Sequence, residues 1–378
     1  PTSYHSYDDV FTYDSENFPP DVRMLTRFYN NETIVDDNIL ASQNGSGATQ
    51  VNQGTQVTTS NIIATNWLDN NIGYGVGMGG LIVKFTNGGA DWEYLNSGTG
   101  YRLTDVHFTD YQTGYVVGDR GVVLKTTNAG NTWVKMTTPV AAKINDIKFV
   151  GTNVAFAACD NGYILKTIDA GNTWTATQPV TAHLNSVDFN DGLNNGFIVG
   201  DRGTMLKTTN AGQDWILRTV AGVTHNLNSV FFKSPSDGYA VGENGIMLTT
   251  VNKGDNWSIN ANSPASKTLN KVYFVGQSTG YLLGQYGTFF KSVDGGTTWT
   301  AEQVESKYKN YSYADIFFSS PSKGYVVGDA GLVLTNGSTE WTSVKPADQG
   351  FEDVTRRHQE VMLPENGVGL GGALYILD

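Results

Sequence analysis

The stretch Gly114-Tyr115-Val116-Val117-Gly118-Asp119-Arg120-Gly121, with Trp133 nineteen residues after its first glycine, decides the fold because it recurs. Gly196-Phe197-Ile198-Val199-Gly200-Asp201-Arg202-Gly203 leads to Trp215 at the same distance, and further copies start at Gly73, Ala155, Gly238, Gly280 and Gly324. Seven of the eight tryptophans, Trp92, Trp133, Trp174, Trp215, Trp257, Trp299 and Trp341, are therefore spaced by 41, 41, 41, 42, 42 and 42 residues. Each period holds four short runs of β character. They are an alternating run such as Leu103–Phe108, the Gly-Tyr-Val-Val-Gly run, a third like Val122–Thr126, and one starting at each Trp. Four strands per ~40–45 residues is the arithmetic of a β-propeller blade. Helical repeats fail the same test, because a glycine inside every unit would cost each helix about 1 kcal/mol.

An eighth copy, Gly367-Val368-Gly369-Leu370-Gly371, ends the series, and the chain stops at Asp378 before its tryptophan would arrive. The expectation is an all-β, eight-bladed propeller, with seven blades as the alternative. An open ring would leave unpaired strand edges. Residues 50 to 59 are accordingly expected to supply the missing outer strand of the last blade and close the ring. The domain reading is an arm and linker over residues 1–49 and a propeller over residues 50–378.

Composition supports this and excludes several classes. Charged residues are 16% and aromatics 12% of the 378, which argues against a disordered chain or a charged coiled coil. A net charge of −12 excludes a phosphate-gripping basic face as the dominant feature, so nucleic acid is not an expected partner. A single cysteine, Cys159, cannot close an internal disulfide and reads as a buried, inert thiol. No zinc-type Cys/His spacing is present, and neither cofactor nor metal is expected. No run approaches the ~20 apolar residues of a membrane span, and no basic start precedes an apolar run. Direct membrane insertion and a visible signal peptide are thus not expected.

Around each tryptophan lies a shorter signature: Thr126-Thr127-Asn128-Ala129-Gly130-Asn131-Thr132-Trp133, and likewise Thr167–Trp174 and Ser292–Trp299. An Asx side chain that bonds turn amides, a glycine free to take positive φ and a covering indole are hairpin chemistry. Asn128, Asp169, Asn210, Asn252 and Asp294, with Trp133, Trp174, Trp215, Trp257 and Trp299, are therefore read as structural. The signature resembles the Asp-box, or bacterial neuraminidase repeat. Combined with the Gly-Tyr-x-x-Gly-acid-x-Gly run, it resembles the photosystem II stability/assembly factor type of propeller over about residues 60 to 378. Those members have seven blades, one fewer than the copies countable here. Because one propeller fold serves enzymes and binding proteins alike, the resemblance implies fold more firmly than activity.

Sialidases share the turn motif but need an arginine triad, a Tyr/Glu nucleophile pair and an acidic donor. The eight arginines here come with no Phe/Tyr-Arg-Ile-Pro start. The protein is expected to be non-catalytic. Asp119, Asp160, Asp201, Glu243 and Asp329 fall one per blade, too dispersed for a shared cation, and read as turn residues.

The slot after those acids varies: Arg120, Asn161, Arg202, Asn244, Tyr286, Ala330. A turn position free to vary is where a recognition surface can be written. The resemblance implies an arginine-bearing face that docks a client, which makes Arg120 and Arg202 binding candidates. Tyr286 joins them, as do Lys307, Tyr308, Lys309 and Tyr311 from the Tyr/Lys-rich connection at 306–313. Residues 1–40 hold eight acids against two bases, interleaved with Tyr4, Tyr7, Phe11, Tyr13 and Phe18, which are expected to contact a neighbouring protein. The functional expectation is a structural or docking component of a larger protein assembly, with a virion component (phage tail or portal region) or extracellular surface as its setting. The alternatives are an assembly factor for a membrane complex and a glycan-binding or sialidase-like protein.

Overall fold

The computed structural model describes residues 60–344 and two short N-terminal strands, Val10–Thr12 and Leu25–Arg27, which pair antiparallel. Within residues 60–344 every repeat forms one four-stranded antiparallel sheet, its strands in sequence order. Seven such blades are present, with first strands Ile62–Trp67, Leu103–Phe108, Ile144–Val150, Leu184–Asp191, Leu227–Phe232, Leu269–Val275 and Tyr313–Ser320. Burial explains the composition of the runs. Second strands such as Gly114–Gly118 are buried throughout, whereas outer strands such as Ile216–Arg218 are exposed and short, which limits edge-to-edge association.

The repeat motif is an inter-blade lock. The second-strand aromatic of each blade stacks on the aromatic ending the first strand of the next: Tyr74 on Phe108, Tyr115 on Phe149, Phe156 on Phe189, Phe197 on Phe232, Tyr239 on Phe274 and Tyr281 on Phe318. Asp-box tryptophans such as Trp133 meet these pairs edge-on. The seam tyrosine then reaches the next blade's Asp-box, as when the Tyr115 hydroxyl donates to the Ala170 carbonyl at 2.7 Å. A third-strand lysine bonds the same carbonyl beside tyrosine, Lys125 donating to Ala170 O at 2.8 Å, and without it where phenylalanine stands, Lys166 donating to Ala211 O at 2.7 Å and Lys207 to Lys253 O at 2.9 Å. Gly171 permits the contact, since a Cβ there would lie 2.8 Å from the Tyr115 ring and its φ is +76°.

The seventh seam corrects the expected count. Tyr325 of the last blade stacks on Trp67 of the first, centroids 3.4 Å apart and planes 5° from parallel. Trp67, the tryptophan outside the 41–42 series, occupies the place phenylalanine fills in the other six blades. Asp315 Oδ2 also accepts from Thr65 N at 3.0 Å, and Asn61 bridges to Asp329 and to Ala330 N. Blade 7 meets blade 1 directly, so the ring closes at seven, not eight. Its fourth strand, Trp341–Ser343, comes from its own repeat, and no exchanged strand is used among the described residues. The eighth copy and residues 50–59 lie outside the described residues.

The Asp-box residues act as read. Asn128 Oδ1 accepts from Thr132 N at 2.9 Å and from the Thr126 hydroxyl, which in turn accepts from Gly130 N. Asp169 and Asp294 repeat the pattern with added bonds from Thr173 and Thr298. The Thr173 hydroxyl and amide lower the Asp169 carboxyl to about 2, and Thr298 holds Asp294 well below the usual range. A depressed folded pKa contributes stability that is complete above the ordinary carboxylate range near pH ~4 and is lost as pH falls through about 2. In thermal melts, the Tm gap between wild type and Asp169→Asn is expected to shrink from pH 5 to pH 2; a gap independent of pH would contradict the assignment.

First strands line the axis, and their free edge is satisfied from the neighbouring blade. Asp105, Asp146, Ser186 and Ser229 accept from Ile147 N, Val187 N, Val230 N and Val272 N of the next blade. Charges meet here as well. Lys148 pairs with Asp188 at 2.8 Å and Lys271 with Asp315 at 2.9 Å. Burial, then the adjacent Asp146, pushes the Asp105 carboxyl well up. Burial, then Lys148, pushes His107 down to about 4, leaving it neutral.

Candidate docking face

The seven turns after the second strands share one end of the propeller. Each is pinned to the residue preceding its own first strand: Asp119 N donates to Arg102 O, Asp160 N to Lys143 O, and Asp201 N to His183 O. The variable slot adopts positive φ in every blade, 57° at Arg120, 59° at Asn161, 55° at Arg202, 55° at Asn244, 52° at Tyr286 and 52° at Ala330, with Gly79 in the remaining one. That backbone turns the slot's side chain away from the core while its acidic predecessor bonds back to its own blade. Asp160, Asp201 and Glu243 accept from Asn145, Asn185 and Asn226, and Asp329 accepts from Ser312 N. Asp329 also accepts from Asn61 of blade 1, and the Asn145 and Asn185 amides donate onward to Leu184 O and Leu227 O of the next blade. Among the described residues no group of three or more His, Cys, Asp or Glu side chains is arranged to hold a metal ion.

Arg120 and Arg202 sit on this face in blades 2 and 4. Arg120 lies over the Tyr101 ring at 5.0 Å, and Arg202 N donates to Asn226 Oδ1 at 2.9 Å. The face also carries Arg102 and Lys143, which sequence reasoning did not place there. Burial, then the Arg102 guanidinium, lowers the Lys143 ammonium, against the opposing effect of Asp160, Asp119 and Asp201. None of Arg102, Arg120, Lys143 and Arg202 forms an ion pair among the described residues. The signal that could have found them is the register position just before each first strand, filled by Asn61, Arg102, Lys143, His183, Asn226, Thr268 and Ser312. Blades 2 to 4 thus bring Arg102, Arg120, Lys143 and Arg202 to this face, interspersed with Asp119, Asp160 and Asp201. Residues 60–344 as a whole carry 19 Lys and Arg against 22 Asp and Glu, a net charge of −3, so most of the acidity lies elsewhere in the chain.

The Tyr/Lys sector is divided. Tyr286 is 65% exposed, with the Lys267 ammonium donating to its carbonyl at 2.8 Å. Lys307 and Lys309 are exposed, Lys307 lying 4.6 Å over the Tyr308 ring. Tyr308 itself is 2% exposed and packs with Trp341, Phe289 and Tyr313, so as a contact residue it is corrected to a core residue. Tyr311 is half-buried edge-on against it, and its carbonyl accepts from Gly287 N at 2.8 Å. Cys159 is fully buried, its thiol pushed up to about 12 by burial. Of the arm candidates, Phe11 lies within the strand Val10–Thr12, while Tyr4, Tyr7, Tyr13 and Phe18 lie outside the described residues. No helix of the described residues is long and apolar enough to cross a membrane.

Comparison with known proteins agrees with this architecture. Among solved structures, a complex described as YCF48 bound to D1 peptide superposes with a TM-score of 0.62 at 22% identity, covering 77% of this chain and 97% of that one. YCF48 from Cyanidioschyzon merolae gives 0.61 at 20% identity, covering 75% and 98%. The GH74 enzyme of Niastella koreensis gives 0.61 at 15% identity, covering 78% of this chain and 56% of its own, so an enzyme shares the fold. Among curated proteins, none matches the sequence. The profile of the family described as photosynthesis system II assembly factor YCF48 matches residues 44–182, 177–263 and 260–349. With matches running from residue 44 to residue 349, the chain belongs to the family of the photosynthesis system II assembly factor YCF48.

Proposed function

We propose that this protein is a non-catalytic docking propeller that holds a peptide segment of a client protein on the face of its positive-φ turns. The observation that carries the reading is the set of four cations, Arg102, Arg120, Lys143 and Arg202, that this face holds without an ion pair among the described residues. Charges left without intramolecular partners on a rigid scaffold are suited to steering and orienting an anionic partner. A relative solved with a D1 peptide supports peptide docking as the activity. The comparisons back an assembly-factor role above the virion setting expected from sequence, which they leave without support.

Fluorescence anisotropy with a labelled D1 peptide tests the reading. Arg120→Ala combined with Arg202→Ala is expected to weaken binding about tenfold, roughly 1.4 kcal/mol, and more at low salt than at high. Both side chains leave the core, so the variant's Tm should stay within a degree or two of wild type. Equal affinity in the two proteins would remove the assignment of this face.

A further inference from the structure

Beside Arg120, on the outer side of the same turn, lies an open-sided concavity of about 520 Å³. Met136, Pro139, Val140 and Ala141 contribute apolar side chains to its lining beside Gly121, Thr137 and Thr138, and Arg120 and Lys135 contribute two cations. No carboxylate lines it. Neither cation forms an ion pair among the described residues, and Lys135 is exposed on its outer strand. The walls are fixed: Met136 N donates to Val123 O at 2.8 Å, and the Thr138 hydroxyl donates to Gly121 O at 2.8 Å. The Arg120 guanidinium carbon lies over the Tyr101 ring, 5.0 Å from its centroid. A guanidinium stacked by its face keeps its N–H edge free for a carboxylate.

We infer that this concavity is a subsite for a carboxylate carried next to an aliphatic side chain, the anion between Arg120 and Lys135 and the side chain on Met136, Pro139 and Val140. Two charges alone would accept any anion. The apolar side chains in the lining add the second requirement, since covering them with an aliphatic group contributes in proportion to the area covered. The chemistry is that of a chain-terminal apolar residue or of an acidic residue beside an apolar one. The inference rests on the docking reading for its biological use, but not for its test.

N-acetyl-leucine serves as the probe, followed through the Met136 methyl signal by NMR, with N-acetyl-leucine amide as the uncharged control. A saturable Met136 shift at millimolar N-acetyl-leucine, at least tenfold weaker with the amide, is the expected result. Lys135→Ala and Arg120→Ala should each weaken it about fivefold or more, while Arg218→Ala, on the exposed outer strand of blade 4, should leave it unchanged. No shift, or equal shifts with acid and amide, would overturn the subsite. A C-terminally free peptide against its amidated form, and a peptide with internal Glu-Leu against Gln-Leu, then distinguish the two sources of the carboxylate. Loss of D1-peptide binding without loss of the N-acetyl-leucine shift would sink the docking reading and leave the subsite standing.

Discussion

Lys271→Met is expected to cost the propeller about 3 kcal/mol at pH 7, read as a lowered denaturant midpoint. Lys271 sits 2.9 Å from Asp315 Oδ1, and Asp315 keeps only 5% of its surface exposed. Burial opposes the lysine's charge, yet Asp315, Asp146 and Asp105 together raise its ammonium well above the ordinary range. Methionine matches its length but leaves carboxylates facing one another across the axis. About a third of the lysine side chain is open to the channel, which places the loss at the low end for a broken buried pair. The pH dependence has a definite sign. In wild type, a raised lysine pKa gives stability that is fully present below about pH 10 and is lost as pH rises through the folded value. In the variant, unpaired carboxylates bind protons more readily folded than unfolded, so its deficit should shrink between pH 7 and pH 5. Asp105→Asn should cost under about 1 kcal/mol at pH 7, because burial already pushes the Asp105 carboxyl toward its neutral form, which asparagine resembles in shape. A Lys271→Met loss below 1 kcal/mol, or one that does not change with pH, would refute the axial network.

Trp67→Ala is expected to be still more damaging, at about 4 kcal/mol, within the usual cost of truncating a buried tryptophan. Trp67 is 3% exposed, stacked on Tyr325 of blade 7 and on Phe85 of its own blade. The cavity would open in the one seam that joins the two ends of the seven-repeat series. Trp67→Phe should cost only about 1–1.5 kcal/mol, because phenylalanine is what the other six seams carry at this position. A matched truncation at another seam, Phe232→Ala, provides the comparison. If only the Trp67 variant broadens the unfolding transition, opening the ring there separates the terminal blades from the rest. If both lose equal stability with unchanged cooperativity, the closing seam is no different from the others.

How much of this was legible beforehand depended on the range of the interaction. The Asp-box is local: Thr126, Asn128, Gly130 and Thr132 bond one another within four residues, so their spacing reported the turn faithfully. The docking face was half legible. Arg120 and Arg202 showed as departures in a repeating slot, while Arg102 and Lys143 lie in connections whose lengths vary and were missed. Tyr308 looked like a surface aromatic because nothing local reveals that Trp341 and Phe289 pack over it.

By itself the sequence determined the blade. Four strands, the hairpin turn and the aromatic pair recur every 41 or 42 residues because each is specified by contacts within a repeat or with the next one along. Counting copies gave eight, since a pattern cannot say which copies enter the ring. The number of blades was decided only in three dimensions, where Tyr325 meets Trp67 across more than 250 residues of chain and leaves no gap for another blade. Blade number is a property of how wedge-shaped sheets pack around an axis, and that closure is the one seam that no local spacing encodes.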